Sequence, residues 1–149
     1  MLRIEKIAEV ARLQGSLLRN YGVGHPDWYA EMLVCAALSG ELAKTNNRDY
    51  DIKCDTLGKV QVKCRVDGTD TNQNRTNFKR YRPGVFDFAA IVIFESDYRI
   101  KGAVTIPLSD AHSLMKAAGH VKWADASAHR NAACIIQQLI EISNERREC

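Results

Sequence analysis

The sequence predicts an α/β fold with a mixed sheet, and three patterns support this prediction. Apolar residues first recur at helical spacing, before residue 44. Apolar and polar residues then alternate over residues 50–66, as in strands with one buried face, and residues 86–94 form a run, apolar apart from Asp87, that is typical of a central strand. A tight turn joins the first two strands, so they are expected to be antiparallel, which makes the sheet mixed.

The composition fits one globular domain. The chain has 149 residues, of which 46% are hydrophobic and 26% charged. We expect an N-terminal helix within residues 1–24, a core over residues 25–124 and a C-terminal helix within residues 125–149. No apolar run approaches the ~18 residues of a membrane span, and the N-terminus has no cleavable apolar block. The sequence therefore predicts a cytoplasmic protein that does not enter a membrane.

Two helices are predicted ahead of the sheet. Apolar residues at intervals of three and four predict the first helix over residues 2–20. The second is expected to start with Asp27 as its N-cap and to end near Leu42 or Ala43. Glu31 shares the apolar face of this second helix, so its carboxylate is expected to point inward, where a charged group needs a partner.

The sheet is predicted to begin with a β-hairpin, formed by residues 50–55 and 59–66. Asp87, which lies in the later apolar run, is interpreted as a buried structural acid. The elements expected after the hairpin are a polar loop over residues 67–84, a buried strand over 86–94, a strand over 98–107, a helix capped by Ser109-Asp110 that ends near Ala118, and a final helix over 127–145.

Four polar side chains are expected to converge beside the hairpin. Gln61 and Lys63 alternate with apolar residues on the second strand, so they share its polar face. Asp51 lies on the neighbouring strand, and Glu31 reaches inward from the preceding helix. Two carboxylates, an amide oxygen and an ammonium suit a hard cation such as Mg²⁺ that also binds a substrate phosphate.

This arrangement resembles the PD-(D/E)XK nuclease superfamily. In that superfamily a helix glutamate precedes a strand aspartate, and a (Glu/Asp/Gln)-x-Lys follows roughly ten residues later on the next strand. The matching parts of this sequence are Glu31, Tyr50-Asp51-Ile52 and Gln61-Val62-Lys63. The run from Phe86 to Glu95, with residues 98–107 after it, also resembles small uncharacterised bacterial members. The resemblance covers about residues 26–120.

The resemblance implies a restriction-endonuclease-like αβββαβ core with a mixed sheet, extended by N- and C-terminal helices. It implies that Asp51, Gln61 and the backbone carbonyl of Val62 hold Mg²⁺ or Mn²⁺. Lys63 would be the catalytic lysine, and Glu31 would support the first metal or bind a second. Gln61 stands where an acid is commoner in the superfamily, which removes one negative charge from the cation site.

Basic residues are concentrated in one segment. Residues 59–82 contain seven Lys and Arg residues and two Asp, whereas the whole chain has a formal charge of +3. The loop in this segment mixes bases with amides and aromatics, which are groups that contact phosphates and base edges. The residues expected to bind nucleic acid are Arg65, Arg75, Lys79, Arg80 and Arg82. The alternative is a solvated loop that binds nothing.

The leading functional hypothesis is a Mg²⁺-dependent endonuclease of restriction, mobile-element or repair type, acting on double-stranded DNA. Because cutting both strands needs two active sites, we expect a homodimer or larger homo-oligomer. One alternative is a nucleic-acid-binding module on the same fold that has lost catalysis. Another is an oligomerising accessory protein, in which Glu31, Asp51 and Lys63 form only a structural ion-pair network and the loop over residues 72–82 packs down without an open cleft.

Overall fold

A computed structural model describes residues 13, 26–44, 47, 49–67, 75–78, 84–95, 98–116 and 119–143. The helix predicted over residues 2–20 lies outside these ranges, apart from Leu13, which is helical and exposed. Within the described ranges, every helix is too short or too polar to cross a membrane.

The described helices and strands follow the order of an α/β protein. The helices are α1 (Pro26–Ala37), α2 (Leu108–Leu114), α3 (Trp123–Ala128) and α4 (Ile136–Ser143). The strands are β1 (Glu41–Leu42), β2 (Ile52–Cys54), β3 (Gly58–Val66), β4 (Arg75–Asn77), β5 (Phe88–Phe94), β6 (Ile100–Pro107), β7 (His120–Lys122) and β8 (Ala133–Cys134).

Helix α1 begins one residue earlier and ends sooner than the sequence predicts. Pro26 is its first residue, where proline lacks an N–H that the first turn would leave unpaired, and Asp27 lies in the first turn instead of capping it. The helix ends because Ser39 adopts φ 49°, and the N–H groups of Ser39 and Gly40 bond back to Ala36 and Cys35. The prediction of helix as far as Leu42 or Ala43 is therefore wrong.

The main sheet is mixed, as predicted. Among the described residues it has six strands in the order β1-β2-β3-β5-β6-β8. Strands β3 and β5 are parallel, and the other neighbouring pairs are antiparallel. The predicted hairpin is present as β2 and β3, and Gly58 at its turn has φ 73°, which glycine adopts without steric strain.

Strand β5 lies between two apolar cores, which confirms the predicted central strand. Ala90, Val92 and Phe94 pack on one face against α1 and α4, and Ala89 and Ile91 pack on the other face with residues of β6 and α2. All residues of β5 after Phe88 are buried. Since both faces of the strand are covered, its sequence is apolar without alternation.

Three of the later predictions are wrong in detail. The predicted loop over 67–84 contains β4, which pairs antiparallel with β7 in a second, two-stranded sheet. The helix predicted over 127–145 is replaced by the end of α3, the short strand β8 and then α4. The helix predicted from Ser109-Asp110 instead begins at Leu108 and ends at Leu114.

Candidate functional site

Asp51 directly precedes the first residue of β2, and its carboxylate accepts a backbone hydrogen bond from β3. The backbone N–H of Asp51 donates to the carbonyl of Val60 at 3.0 Å, which continues the ladder between β2 and β3. The next donor along β3 is the N–H of Val62, and it bonds to Oδ2 of Asp51 at 2.7 Å. A side-chain oxygen thus takes the place of a strand carbonyl, which holds the carboxylate close to the plane of the sheet.

Gln61 is drawn to the same oxygen. Its Nε2 donates to Oδ2 of Asp51 at 2.6 Å, and the residue is buried, with 6% of its surface exposed. Burial of an amide requires hydrogen-bond partners, and Asp51 supplies one. The structure therefore brings together Asp51 and Gln61, two of the predicted metal ligands.

The backbone of Val62 faces the same position. In a β-strand the N–H and C=O of one residue point to the same neighbouring strand, so the carbonyl of Val62 lies on the edge that binds Asp51. Its side chain is buried in the core against α1. The predicted role of the Val62 carbonyl as a ligand is compatible with this orientation.

Glu31 reaches this region from α1 and is half-buried. Burial raises the pKa of the Glu31 carboxyl to about 7, and the negative charges of Asp51 and Asp27 add to the shift. The carboxylate of Glu31 thus lies close enough to Asp51 and to Asp27 to be repelled by each of them. This repulsion and the partial burial make Glu31 bind a proton more readily than an isolated glutamate does.

Lys63 lies on β3 two residues after Gln61, so the two side chains share one face of the strand. It is half-buried and stands opposite Ile91 of β5. Gln61 and Lys63 thus lie on the face of β3 opposite to the face on which α1 packs, whereas Glu31 on α1 approaches Asp51.

The sequence analysis assigned Asp27 only to capping, but its carboxylate is also one of the two that raise the pKa of Glu31 in addition to burial. The thiol of Cys64 donates to Oδ1 of Asp27 at 3.0 Å, which ties the first turn of α1 to β3. Burial and the neighbouring Asp27 carboxylate raise the pKa of the Cys64 thiol, so this thiol is neutral. The signal that could have located Asp27 is its spacing of four residues from Glu31, which places both acids on one side of the helix.

The residues expected to bind nucleic acid are only partly described. Arg65 is exposed on β3, and its Nε donates to the backbone carbonyl of Arg75 at 2.6 Å. Arg75 is half-buried at the start of β4. Lys79, Arg80 and Arg82 lie outside the described residues.

Asp87 has a structural role, but it is not buried as predicted. It is exposed just before β5, and its Oδ2 accepts a hydrogen bond from the N–H of Lys59 at 2.8 Å. Its own N–H donates to the carbonyl of Lys59 at 2.8 Å. Asp87 thus fastens the start of β5 to β3 while remaining in contact with solvent.

The donor set has the chemistry of a site for a hard cation. In the part of the chain that the structure describes, no group of three or more His, Cys, Asp and Glu side chains is placed to hold a metal ion. The predicted set differs from such a group: it has two carboxylates, with an amide and a backbone carbonyl as neutral oxygen donors. Mg²⁺ is commonly held by one or two carboxylates together with water and substrate phosphate, so these residues fit it.

Searches with protein-family models and against curated proteins found no match to this sequence.

Proposed function

We propose that the protein is a Mg²⁺-dependent nuclease of the PD-(D/E)XK type, with the restriction-endonuclease-like core, that hydrolyses phosphodiester bonds in double-stranded DNA. The observation that carries this proposal is the contact of the Asp51 carboxylate with both Gln61 and the N–H of Val62. It joins the aspartate to the Gln-x-Lys segment on the neighbouring strand. Glu31 on α1 adds a second carboxylate beside it.

The residues that would hold Mg²⁺ or Mn²⁺ are Asp51, the carbonyl of Val62, Gln61 and Glu31. The metal, when bound, supplies Lewis-acid polarisation of a phosphoryl oxygen and makes a bound water more acidic. The hydrogen bond from the N–H of Val62 already fixes Oδ2 of Asp51. Its position is thus set before any ligand arrives, which is the preorganisation that catalysis requires.

Lys63 supplies the positive charge in this scheme. Its ammonium group lies on the same face of β3 as Gln61, where it can bind a phosphate oxygen or stabilise negative charge that develops on the attacking oxygen. Glu31 can hold a proton near neutral pH, because its pKa is about 7. A bound cation would favour the ionised form of this carboxyl, which can then serve as a ligand.

A second candidate function is a nucleic-acid-binding module without catalysis, and the orientation of Gln61 favours it. Nε2 of Gln61, rather than its oxygen, faces Asp51. To serve a cation, the amide must turn to present Oε1, which breaks this hydrogen bond. Gln61→Glu would restore the missing charge, so a catalytically weak site is expected to gain Mg²⁺ affinity and cleavage rate in this variant, whereas a surface that only binds DNA would gain neither.

The proposed function is tested by cleavage of plasmid DNA in Mg²⁺ or Mn²⁺ with wild type, Lys63→Ala and Lys59→Ala. Lys59 lies four residues away on the same face of β3 and contacts the ring of Tyr50, so its variant is a matched control for loss of one lysine. Cleavage should be lost in Lys63→Ala and kept in Lys59→Ala. Equal rates in all three proteins would contradict the assignment of Lys63.

A homodimer follows from the same proposal, because each chain offers one such site and a double-strand break needs two. Sedimentation equilibrium of the full chain, with and without a DNA duplex, measures this. A mass of one chain under both conditions would limit the nuclease to cutting one strand at a time.

A further inference from the structure

The two-stranded ribbon formed by β4 and β7 has one buried face and one polar face. Thr76 and Val121 stand opposite each other and are 3% and 1% exposed, so this face belongs to the core. Because side chains alternate along a strand, the other face carries the neighbouring residues. These are Arg75 opposite Lys122, and Asn77 opposite His120.

The polar face places two cations directly against each other. Side chains opposite one another in an antiparallel pair have Cβ atoms about 5 Å apart, and like charges in such a pair destabilise it. Neither strand of the ribbon contains an acidic residue. Arg75 and Lys122 therefore form a pair that an anion placed between or above them would stabilise, and their separation suits one phosphate group.

Arg65 connects this face to the candidate site. Its Nε is held at 2.6 Å by the backbone carbonyl of Arg75, so its guanidinium lies beside the ribbon. Arg65 also shares a face of β3 with Lys63, two residues earlier. Basic side chains thus follow one another from Lys63 through Arg65 to Arg75 and Lys122.

We propose that the polar face of the β4–β7 ribbon binds the sugar-phosphate backbone of double-stranded DNA, with Lys122 and Arg75 contacting phosphates next to the one bound at the candidate site. This inference rests on the proposed function in taking DNA as the substrate. It adds β7, which follows β4 by more than forty residues, to the substrate-binding surface. Lysine and arginine contacts to phosphates supply affinity and position without reading the base sequence.

The test is the fluorescence anisotropy of a labelled DNA duplex titrated with the full chain in EDTA, where metal-dependent cleavage cannot occur. Wild type, Lys122→Glu and Arg130→Glu are compared between roughly 50 and 200 mM salt. Lys122 and Arg130 are both exposed, and Arg130 lies between α3 and β8, outside the ribbon, so the control makes the same change in net charge.

Lys122→Glu should weaken binding by about tenfold or more and reduce the slope of log affinity against log salt by about one, since one phosphate contact is lost. Arg130→Glu should bind within about twofold of wild type. Equal weakening by both variants would assign the effect to net charge and overturn the inference, as would unchanged binding by Lys122→Glu or no binding by wild type. Since the assay contains no metal, failure of the nuclease proposal is detected separately, as absence of plasmid cleavage.

Discussion

Asp51 and Asp87 fasten β3 to neighbouring segments in the same way, yet their surroundings differ. Oδ2 of Asp87 accepts the N–H of Lys59 at 2.8 Å, and Oδ2 of Asp51 accepts the N–H of Val62 at 2.7 Å. Asp87 is exposed beside the turn of the hairpin. Asp51 is half-buried, receives a second donor from Gln61 and lies near the carboxylate of Glu31.

The hydrogen bond to the strand does not by itself distinguish a candidate ligand from an anchor. In water the charge of Asp87 is screened, so its carboxylate acts only as an acceptor for the backbone. Near Asp51, partial burial raises the pKa of Glu31, and the negative charges of Asp51 and Asp27 add to the shift. Only the carboxylate of Asp51 contributes to a raised pKa of a neighbouring carboxyl group, that of Glu31.

The largest expected effect separates the two aspartates by activity. Asp51→Asn should reduce Mg²⁺-dependent cleavage of plasmid DNA by at least about 100-fold, because the charge that holds the metal is lost. Asp87→Asn keeps an oxygen that accepts from Lys59 and should cleave within about twofold of wild type. Gel quantification of initial rates measures both. Similar losses of cleavage rate in Asp51→Asn and Asp87→Asn would contradict the assignment of Asp51 as a ligand and Asp87 as an anchor.

The next effect concerns the turn that Asp87 fastens. Gly58 and Gly84 both have positive φ, 73° and 85°. A Cβ at Gly58 would lie 2.4 Å from Oδ2 of Asp87, whereas one at Gly84 would have nothing within 4 Å. Gly58→Ala should therefore lower the free energy of unfolding by about 2–3 kcal/mol and Gly84→Ala by about 1 kcal/mol, both measured by urea denaturation.

A double variant isolates the contact at the turn. In Gly58→Ala/Asp87→Ala the carboxylate that meets the new methyl group is absent. Adding Gly58→Ala to the Asp87→Ala variant should therefore lower the free energy of unfolding by an amount close to that found for Gly84→Ala. An undiminished effect would show that the backbone conformation alone is responsible.

The smallest expected effect is the pH dependence that Glu31 confers. Its pKa in the folded protein is about 7 and its ordinary value is 4.5, so the native state binds the proton more tightly than the unfolded state. Wild-type stability should then fall as pH rises through that interval and level off above it. Glu31→Gln should flatten this profile and, at about pH 8, be more stable than wild type by about 1–2 kcal/mol, since solvent screens part of the effect at a half-buried site.

Urea denaturation in EDTA across this pH range measures the effect of Glu31. Glu141→Gln is the control, because Glu141 is exposed on α4 and its substitution removes the same charge. The control should follow the wild-type profile. If Glu31→Gln also follows the wild-type profile, burial and the neighbouring carboxylates do not raise the pKa of Glu31 as described.

The local patterns of the sequence predicted the parts of the fold that depend on neighbours along the chain. Alternation predicted the hairpin that contains Asp51 and Gln61, and the apolar run predicted β5. Burial of one face of a strand produces alternating apolar residues, and burial of both faces produces a continuous apolar run. The end of α1 was misplaced because the apolar spacing continues past Ser39, whose positive φ ends the helix.

The pairing of β4 with β7 could not be predicted in this way. It joins Arg75 to Lys122, residues with no shared local pattern, and each strand is only three residues long. The contact of Asp27 with Cys64 likewise depends on how α1 packs over β3. Tertiary packing determines both, so the sequence predicted the hairpin residues of the candidate site and missed part of the surface around it.

The most direct test of the central claim, that Asp51 helps to hold a divalent cation and Asp87 does not, is a Mn²⁺ titration of the ¹⁵N-labelled protein observed by NMR. Mn²⁺ broadens nearby signals, and the amides of Val62 and Lys59 each donate to one of the two carboxylates. These amides lie three residues apart on β3, about 10 Å along the strand. We expect the Val62 signal to be lost at a lower Mn²⁺ concentration than the Lys59 signal. Equal loss of the two signals, or no loss of either, would contradict it.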